Sequence, residues 1–252
     1  MSISVVKPHR DLSEVDQGDV LGVVGGLGPL VSAEFLKAIY EQSSWTREQD
    51  APRVLLYSDP TFVDRTSALL SGADEQLLNQ LVNAITRLCD IGASRIVICC
   101  VTIHHLLPRV PSELRARIVS LVDIVFDELS ASGEPHLLLC SNGTRELRIF
   151  EGHRRWPQTS SLFVLPDDAD QQKIHRAIYR IKQSQDLRNE IPYIETLLDK
   201  YHVNSFIAGC TEFHLLTRHL AKSSTQRCID PLMSIARELG KRSIALAAAP
   251  GH

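Results

Sequence analysis

CCVTIHHLL at residues 99–107 and GCTEFHLL at residues 209–216 are near-copies of one turn. Each has a histidine four residues after a cysteine, Cys100 to His104 and Cys210 to His214, with threonine close by. Each follows a short apolar run, RIVI before the first and SFIA before the second, and about 110 residues separate them. A short apolar run bounded by turn residues predicts a buried strand. The chain therefore makes one strand-to-turn element twice, with a thiol just past the end of each strand.

Outward from these turns the same rhythm holds. VLGVVGG (20–26), RVLLYSDP (53–60), PHLLLCS (135–141), SLFVLP (161–166) and VNSFIAG (203–209) read as strands. Between them lie stretches of helical period. In LVSAEFLKAIYEQS (30–43), Leu30, Ala33, Phe35, Leu36 and Ile39 favour one face. In EQLLNQLVNAITRLCDIG (75–92), Leu78, Leu81, Val82 and Ile85 do so, with Gly92 as a stop. ELRARIVSLVDIVFDELSASG (113–133) reads as one helix ending at Gly133. QQKIHRAIYRIKQ (171–183), IPYIETLLDKY (191–201) and PLMSIARELGKRSIALAA (231–248) read as three more. Strands alternating with helices predict an α/β fold with parallel sheets and crossover helices. In such sheets ligands sit beyond the carboxyl ends of the strands. Both thiol turns fall there, as do GGLGP and SDPTFVDRT. The expected architecture is two pseudo-symmetric α/β lobes with the active site in the cleft between them. The first lobe is residues 20–117 plus 223–252, the second 118–222, and residues 1–19 form an N-terminal extension.

Bulk composition narrows the class. The 252 residues are 44% hydrophobic and 23% charged, with formal net charge −3. That is ordinary for a soluble globular protein, and no basic block suggests a nucleic-acid surface. No apolar stretch is long enough to span a bilayer, and the polar start MSISVVKPHRDLSEVDQGD has no secretory h-region. The expectation is a cytoplasmic protein with no membrane and no nucleic-acid partner. Of six cysteines none forms a C-x-x-C pair, which argues against a structural zinc site. Cys89, Cys99 and Cys228 read as small buried hydrophobes. Cys99 points away from Cys100 if the strand continues.

The glycine turn GVVGGLGPL is a poor dinucleotide fingerprint. A G-x-G-x-x-G begun at Gly22 needs glycine where Val24 and Leu27 stand, and one begun at Gly26 needs it at Val31. The simpler reading is a tight turn whose backbone N–H groups approach an anion, with Pro29 in the first turn of the next helix. Two thiols on opposite lobes have a sharper meaning. Inverting a carbon centre by proton transfer needs one acid–base group on each face. A thiol with pKa near 8.5 serves in either role once its neighbours tune it.

These motifs resemble the aspartate/glutamate racemase superfamily, which racemises acidic amino acids without pyridoxal phosphate. The resemblance runs from about Val20 to Leu239. GVVGGLGPLVSAEF matches the glycine-rich opening, and SDPTFVDRTSALL the second strand with its D-R-T turn. CVTIH at Cys100 and GCTEF at Cys210 match the two catalytic motifs, and AIYRIKQ the segment with an active-site lysine, here Lys182. The resemblance implies Cys100 and Cys210 as the catalytic pair, with no cofactor and no metal. By analogy Cys210 acts on the L face and Cys100 on the D face. It further implies that Gly26, Leu27, Gly28, Thr102, Ser141, Thr211 and Glu212 line the substrate. Two positions depart from the family pattern. Val101 stands where an asparagine commonly holds the α-carboxylate, so backbone and Thr102 must do more there. Ser141 stands where threonine is usual. The intact cysteine pair disfavours arylmalonate decarboxylases and maleate isomerases.

Glutamate racemases usually carry G-C-T-H at the second motif and aspartate-type enzymes G-C-T-E, so Glu212, Arg65 and Lys182 resemble the aspartate type. A dicarboxylate needs two cationic or N–H-rich sites, and Arg65 can clamp a carboxylate with two parallel bonds. The expected activity is interconversion of L- and D-aspartate. The alternatives are a racemase of glutamate or another amino acid, and a non-catalytic amino-acid-binding protein. The family is often dimeric, so a homodimer is a further expectation.

Overall fold

The computed structural model describes residues 20–43, 45, 47–183, 187, 190–220 and 227–247. The extension expected at 1–19 lies outside them. Strands β1 (Val20–Gly25), β2 (Arg53–Ser58), β3 (Arg95–Ile98) and β4 (Ile118–Val119) form one sheet in the order β2-β1-β3-β4. Strands β5 (His136–Leu139), β6 (Phe163–Val164), β7 (Ser205–Ala208) and β8 (Arg227–Ile229) form the other in the order β6-β5-β7-β8. Every pairing is parallel. The second sheet is the first with every strand advanced by four, so β3 and β7 occupy the same place. This is the expected α/β class with a repeated half.

The helices are α1 (Pro29–Gln42), α2 (Arg65–Ser71), α3 (Glu75–Asp90), α4 (Ser112–Arg115), α5 (Leu121–Ser132), α6 (Asn142–Glu146), α7 (Trp156–Thr159), α8 (Asp168–Gln183), α9 (Glu190–Lys200), α10 (Phe213–Leu220) and α11 (Pro231–Ala247). Four points of the sequence reading need correction. Residues 113–133 are not one helix, because α4 and α5 flank the two-residue strand β4. Ile118 and Val119 pair with Ile96 and Val97, and Ser120 then caps α5 by accepting the Asp123 N–H at 3.1 Å. β-Branched residues fit that pleated, half-buried place, and a serine cap restarts the helix. Residues 227–229 form the unforeseen β8, and Arg65 opens the unforeseen α2 behind the Asp64 cap. On α1 the buried face is Val31, Ser32, Phe35, Ala38 and Ile39, while Leu30 is exposed. Pro29 occupies the first helical position, and the stripe is turned by one residue from the expected one.

Alternation along the strands divides the apolar residues into three cores. Leu21, Val23, Val97, Cys99, Leu138, Cys140 and Ile207 face a shared core between the sheets, filled by α1, α5 and α11. Val24, Ile96 and Ile98 face a private core under α3, whose Leu77, Leu81, Ile85 and Leu88 are fully buried or nearly so. Leu137, Leu139, Phe206 and Ala208 face its counterpart under α8 and α9. Cys99 and Cys100 fall on opposite sides of the first sheet, as the period-2 rule requires. No helix among the described residues is long and apolar enough to cross a membrane.

Candidate active site

Cys100 and Cys210 each stand two residues beyond a strand end, after β3 and β7. Local backbone bonds repeat in part. The Cys100 N–H donates to the Ile98 carbonyl at 2.7 Å, and in the second turn the like bond is one residue earlier, from the Gly209 N–H to Ile207 at 2.8 Å. Four residues on, the His104 N–H donates to Val101 at 2.9 Å and the His214 N–H to Thr211 at 3.0 Å. Both thiols are almost buried, 8% and 7% exposed. Neither is a free solvent-facing nucleophile.

The turns interlock across the two sheets. Thr211 donates its hydroxyl to the Cys99 carbonyl at 3.0 Å, tying the second turn to the first sheet. In return the Thr102 hydroxyl lies 3.0 Å from Ser141 Oγ and 2.9 Å from Thr144 Oγ1, at the end of β5. Ser141 also caps α6 by accepting the Thr144 N–H. The glycine turns fit the same scheme. A Cβ on Gly143 would lie 2.9 Å from Thr66 Oγ1 and 3.0 Å from Thr102 Cγ2. One on Gly28 would lie 2.9 Å from Glu212 Oε1. Gly26 sits at φ +83, and a Cβ there would come within 2.2 Å of the Asp59 backbone, so only glycine fits.

Glu212 is the main chemical difference between the turns. Its buried carboxylate accepts the Cys210 thiol through Oε2 at 2.8 Å, and its Oε1 lies 3.7 Å from Lys182 Nζ. Burial first, then the Glu212 charge and hydrogen bond, hold the Cys210 thiol well above its ordinary pKa, while Lys182 pulls the other way. The position equivalent to Glu212 in the first turn is Thr102, a neutral hydroxyl.

Both predicted cations converge on this place. Arg65 donates to the Leu27 carbonyl at 2.6 Å and to Val63 at 3.3 Å. Burial opposes its charge, but Cys100, Glu212, Asp64 and Cys210 together raise its pKa. Burial likewise opposes the Lys182 charge, which Glu212, Cys210 and Cys100 restore against Arg65. Lys182 also lies over the Tyr179 ring, 4.5 Å from its centroid, and the Tyr179 hydroxyl donates to Asp64 at 2.8 Å. That bond joins α8 of the second half to the cap of α2 in the first.

The structure thus brings together Cys100, Cys210, Arg65, Lys182, Glu212 and Gly28. Thr102 with Ser141, and Thr211, bridge the halves beside them. Leu27 and Val101 turn their side chains into the cores, so only their backbone groups are available. Sequence reasoning missed Thr144, Asp64 and Tyr179. Each had a signal: Thr144 is three residues after Ser141, Asp64 precedes Arg65 as a cap, and Tyr179 shares a helix face with Lys182 at i, i+3.

Comparison with known proteins gives the family and the fold. The Asp/Glu/Hydantoin racemase family profile matches residues 24–239. The aspartate racemase of Picrophilus torridus superposes with TM-score 0.77 at 25% identity, over 90% of this chain and 94% of that one. An aspartate racemase homologue from Pyrococcus horikoshii OT3 gives TM-score 0.63 at 22% identity, over 91% and 99%. The glutamate racemase of Campylobacter jejuni gives 0.54 at 17%, over 88% and 85%. The last two likenesses concern the fold. The chain belongs to the Asp/Glu/Hydantoin racemase family.

Proposed function

We propose that this protein is a cofactor-independent amino-acid racemase that interconverts L- and D-aspartate, with Cys100 and Cys210 as the paired acid and base. The observation that supports it most is the placement of the two thiols at equivalent positions of a repeated half, with Arg65 and Lys182 beside both. One thiolate takes the α-proton from its face, and the other thiol delivers a proton to the opposite face. The roles reverse for the other enantiomer. Cys210, its S–H donated in a hydrogen bond to the Glu212 carboxylate, starts as the acid, and once it has delivered that proton to the substrate carbon it is the thiolate that acts as base for the other enantiomer. Arg65 and Lys182 come from different halves and offer one positive group to each end of a dicarboxylate. Thr102, Ser141 and Thr211 place hydroxyls, and Gly26, Leu27 and Gly28 place backbone groups, around the carboxylates and amine. We place the substrate between the halves, in a cytoplasmic enzyme that pairs as a homodimer, with the lobe division moved from its sequence bounds so that β4 goes with the first sheet and β8 with the second.

The test is incubation with L-aspartate and no added cofactor, followed by chiral chromatography. D-aspartate formation supports the reading. Conversion of L-glutamate with none of L-aspartate replaces the substrate. A shift in melting temperature on adding aspartate, without conversion of either, replaces the enzyme with a binding protein.

A further inference from the structure

The repeated histidines have no place in the proton transfer, yet both are buried and both make specific bonds. His104 donates from Nδ1 to the Cys100 carbonyl at 2.9 Å, and its Nε2 accepts the Leu121 N–H at 3.1 Å. Accepting at Nε2 places the proton on Nδ1. Leu121 is the first residue of α5, the helix that follows β4. His214, fully buried, donates from Nδ1 to Asp230 Oδ2 at 2.7 Å. Asp230 stands directly ahead of α11, the helix that follows β8. It also accepts the Thr217 hydroxyl and the N–H groups of Leu232 and Met233, at 3.0 and 3.2 Å. Each histidine therefore runs from its cysteine turn to the start of the helix after the next strand of the same sheet. The connection is the same in both halves, although the chemistry differs.

We propose that His104 and His214 are a matched pair of positioning residues, each bracing its own thiol turn against the following helix so that the two faces are set independently. Neither touches the reacting atoms. His104 holds the Cys100 peptide itself, while His214 holds the first turn of α10, whose Phe213 N–H donates to the Cys210 carbonyl at 3.1 Å. The buried Asp230 carboxylate has four donors, so the His214 ring cannot move without leaving a charge under-satisfied. For His104, burial lowers the pKa to about 4, against the pull of the Cys100 carbonyl, so that the ring stays neutral and keeps Nε2 as an acceptor. Burial likewise disfavours the His214 cation, but Asp230 outweighs it and raises the pKa.

This inference rests on the two-thiol reading, and its test has an arm that does not. The variants are His104→Asn, His214→Asn and Asp230→Asn, with thermal melts to confirm folding. His214→Asn keeps a donor near Nδ1, and Asp230→Asn keeps the helix cap, so at least one disturbs the second brace in a folded chain. Alkylation by iodoacetamide is followed at each cysteine by peptide mass spectrometry. Loss of one buried bond predicts about tenfold faster alkylation of Cys100 alone in His104→Asn, and of Cys210 alone in the other two. Equal acceleration at both thiols, or at neither, overturns the proposal. The second arm measures the α-deuterium isotope effect on each enantiomer. A misplaced thiol makes its own proton transfer slower, so the effect rises for one enantiomer and falls for the other, in opposite senses for the two braces. Isotope effects that shift alike in both sets of variants also overturn it. Selective alkylation in a protein without racemisation leaves the braces standing and removes the enzyme reading.

Discussion

The two cysteine turns share a backbone and differ in charge. Arg65 and Lys182 face both thiols, but the other neighbours of the Cys100 turn are neutral: the hydroxyls of Thr102, Ser141 and Thr144, and His104 with its pKa lowered to about 4 by burial. Around Cys210 they are ionic: Glu212 with Lys182 on one side and His214 with Asp230 behind. The fold supplies two equivalent thiols, and side-chain charge makes them unequal. A racemase must accept both enantiomers, yet a protein made of L-residues cannot be its own mirror image. In the proposed two-thiol reaction, a repeated backbone with unequal charges meets that demand by giving each face one thiol of its own character.

The largest effect expected is loss of the pair. Cys100→Ser or Cys210→Ser should each slow racemisation by about 10²–10⁴-fold, the contribution of a general acid or base. Initial rates from both enantiomers check it, and near wild-type rates in either variant would end the two-thiol comparison. Cys89→Ser and Cys228→Ala should change melting temperature more than rate.

Next come the cations. Arg65→Ala should lower kcat/KM for aspartate by about tenfold or more, since charge-assisted bonds of roughly 1.5–3 kcal/mol are lost. Arg65→Lys should restore only part, because an ammonium cannot make two parallel bonds. Lys182→Ala should hurt aspartate far more than any neutral amino acid that is turned over. Equal losses for charged and neutral substrates would make Lys182 a partner of Glu212 alone.

Glu212→Gln sharpens the contrast directly. Removing the carboxylate takes away a cause that raises the Cys210 pKa, so its alkylation profile should move to lower pH. The profile of Cys100 should move less. Equal displacement of both profiles would show that Glu212 acts on the site as a whole.

The remaining effects are in stability and leave the rate least changed, and the two histidines predict opposite signs. His104 has a folded pKa below its unfolded one, so the unfolded chain binds more protons between about pH 6.5 and 4. Its contribution falls as pH drops through that window, by about 3 kcal/mol in all. His214 has a raised folded pKa, so its contribution is complete below about pH 6.5 and is lost as pH rises through the folded value. Asp230 has a lowered pKa despite burial, because His214 and Thr217 favour its charge, so its share is lost in acid as pH falls through that value. Urea melts across pH, with His104→Asn and His214→Asn, separate the three. Flattening of the acid slope in His214→Asn instead of His104→Asn would reverse the assignment.

Much of this was legible in the sequence because the decisive features are local. The apolar runs, the glycine stops and the doubled thiol turn each occupy fewer than ten residues, and together they fix parallel sheets with sites at the strand ends. Strands β4 and β8 were not legible, being two and three residues long, too short for any period. The Glu212 contact with Cys210 could be suspected from a spacing of two. The bonds from Thr211 to Cys99 and from Thr102 to Ser141 could not, because they join residues about 112 and 39 apart whose meeting depends on how the sheets pack. His214 could be seen to repeat His104, but its partner Asp230 belongs to a strand end that the pattern did not reveal.

The place of α11 bears on the order in which this molecule can be made. It packs against α1 and α5, and its Leu232, Ile235 and Ala236 fill the core shared by both sheets. On a ribosome, α1 emerges early and α11 after every other described element. Until then the face of α1 with Phe35 and Ile39 has only part of its cover, from β1, β2 and later α10. Chain growth at about 5–20 residues per second leaves that apolar face partly open for many seconds. The nascent first sheet is therefore the part of this protein with most reason to meet a chaperone, and a ribosome stalled before Pro231 would leave a sticky product even though both thiol turns had already been synthesised.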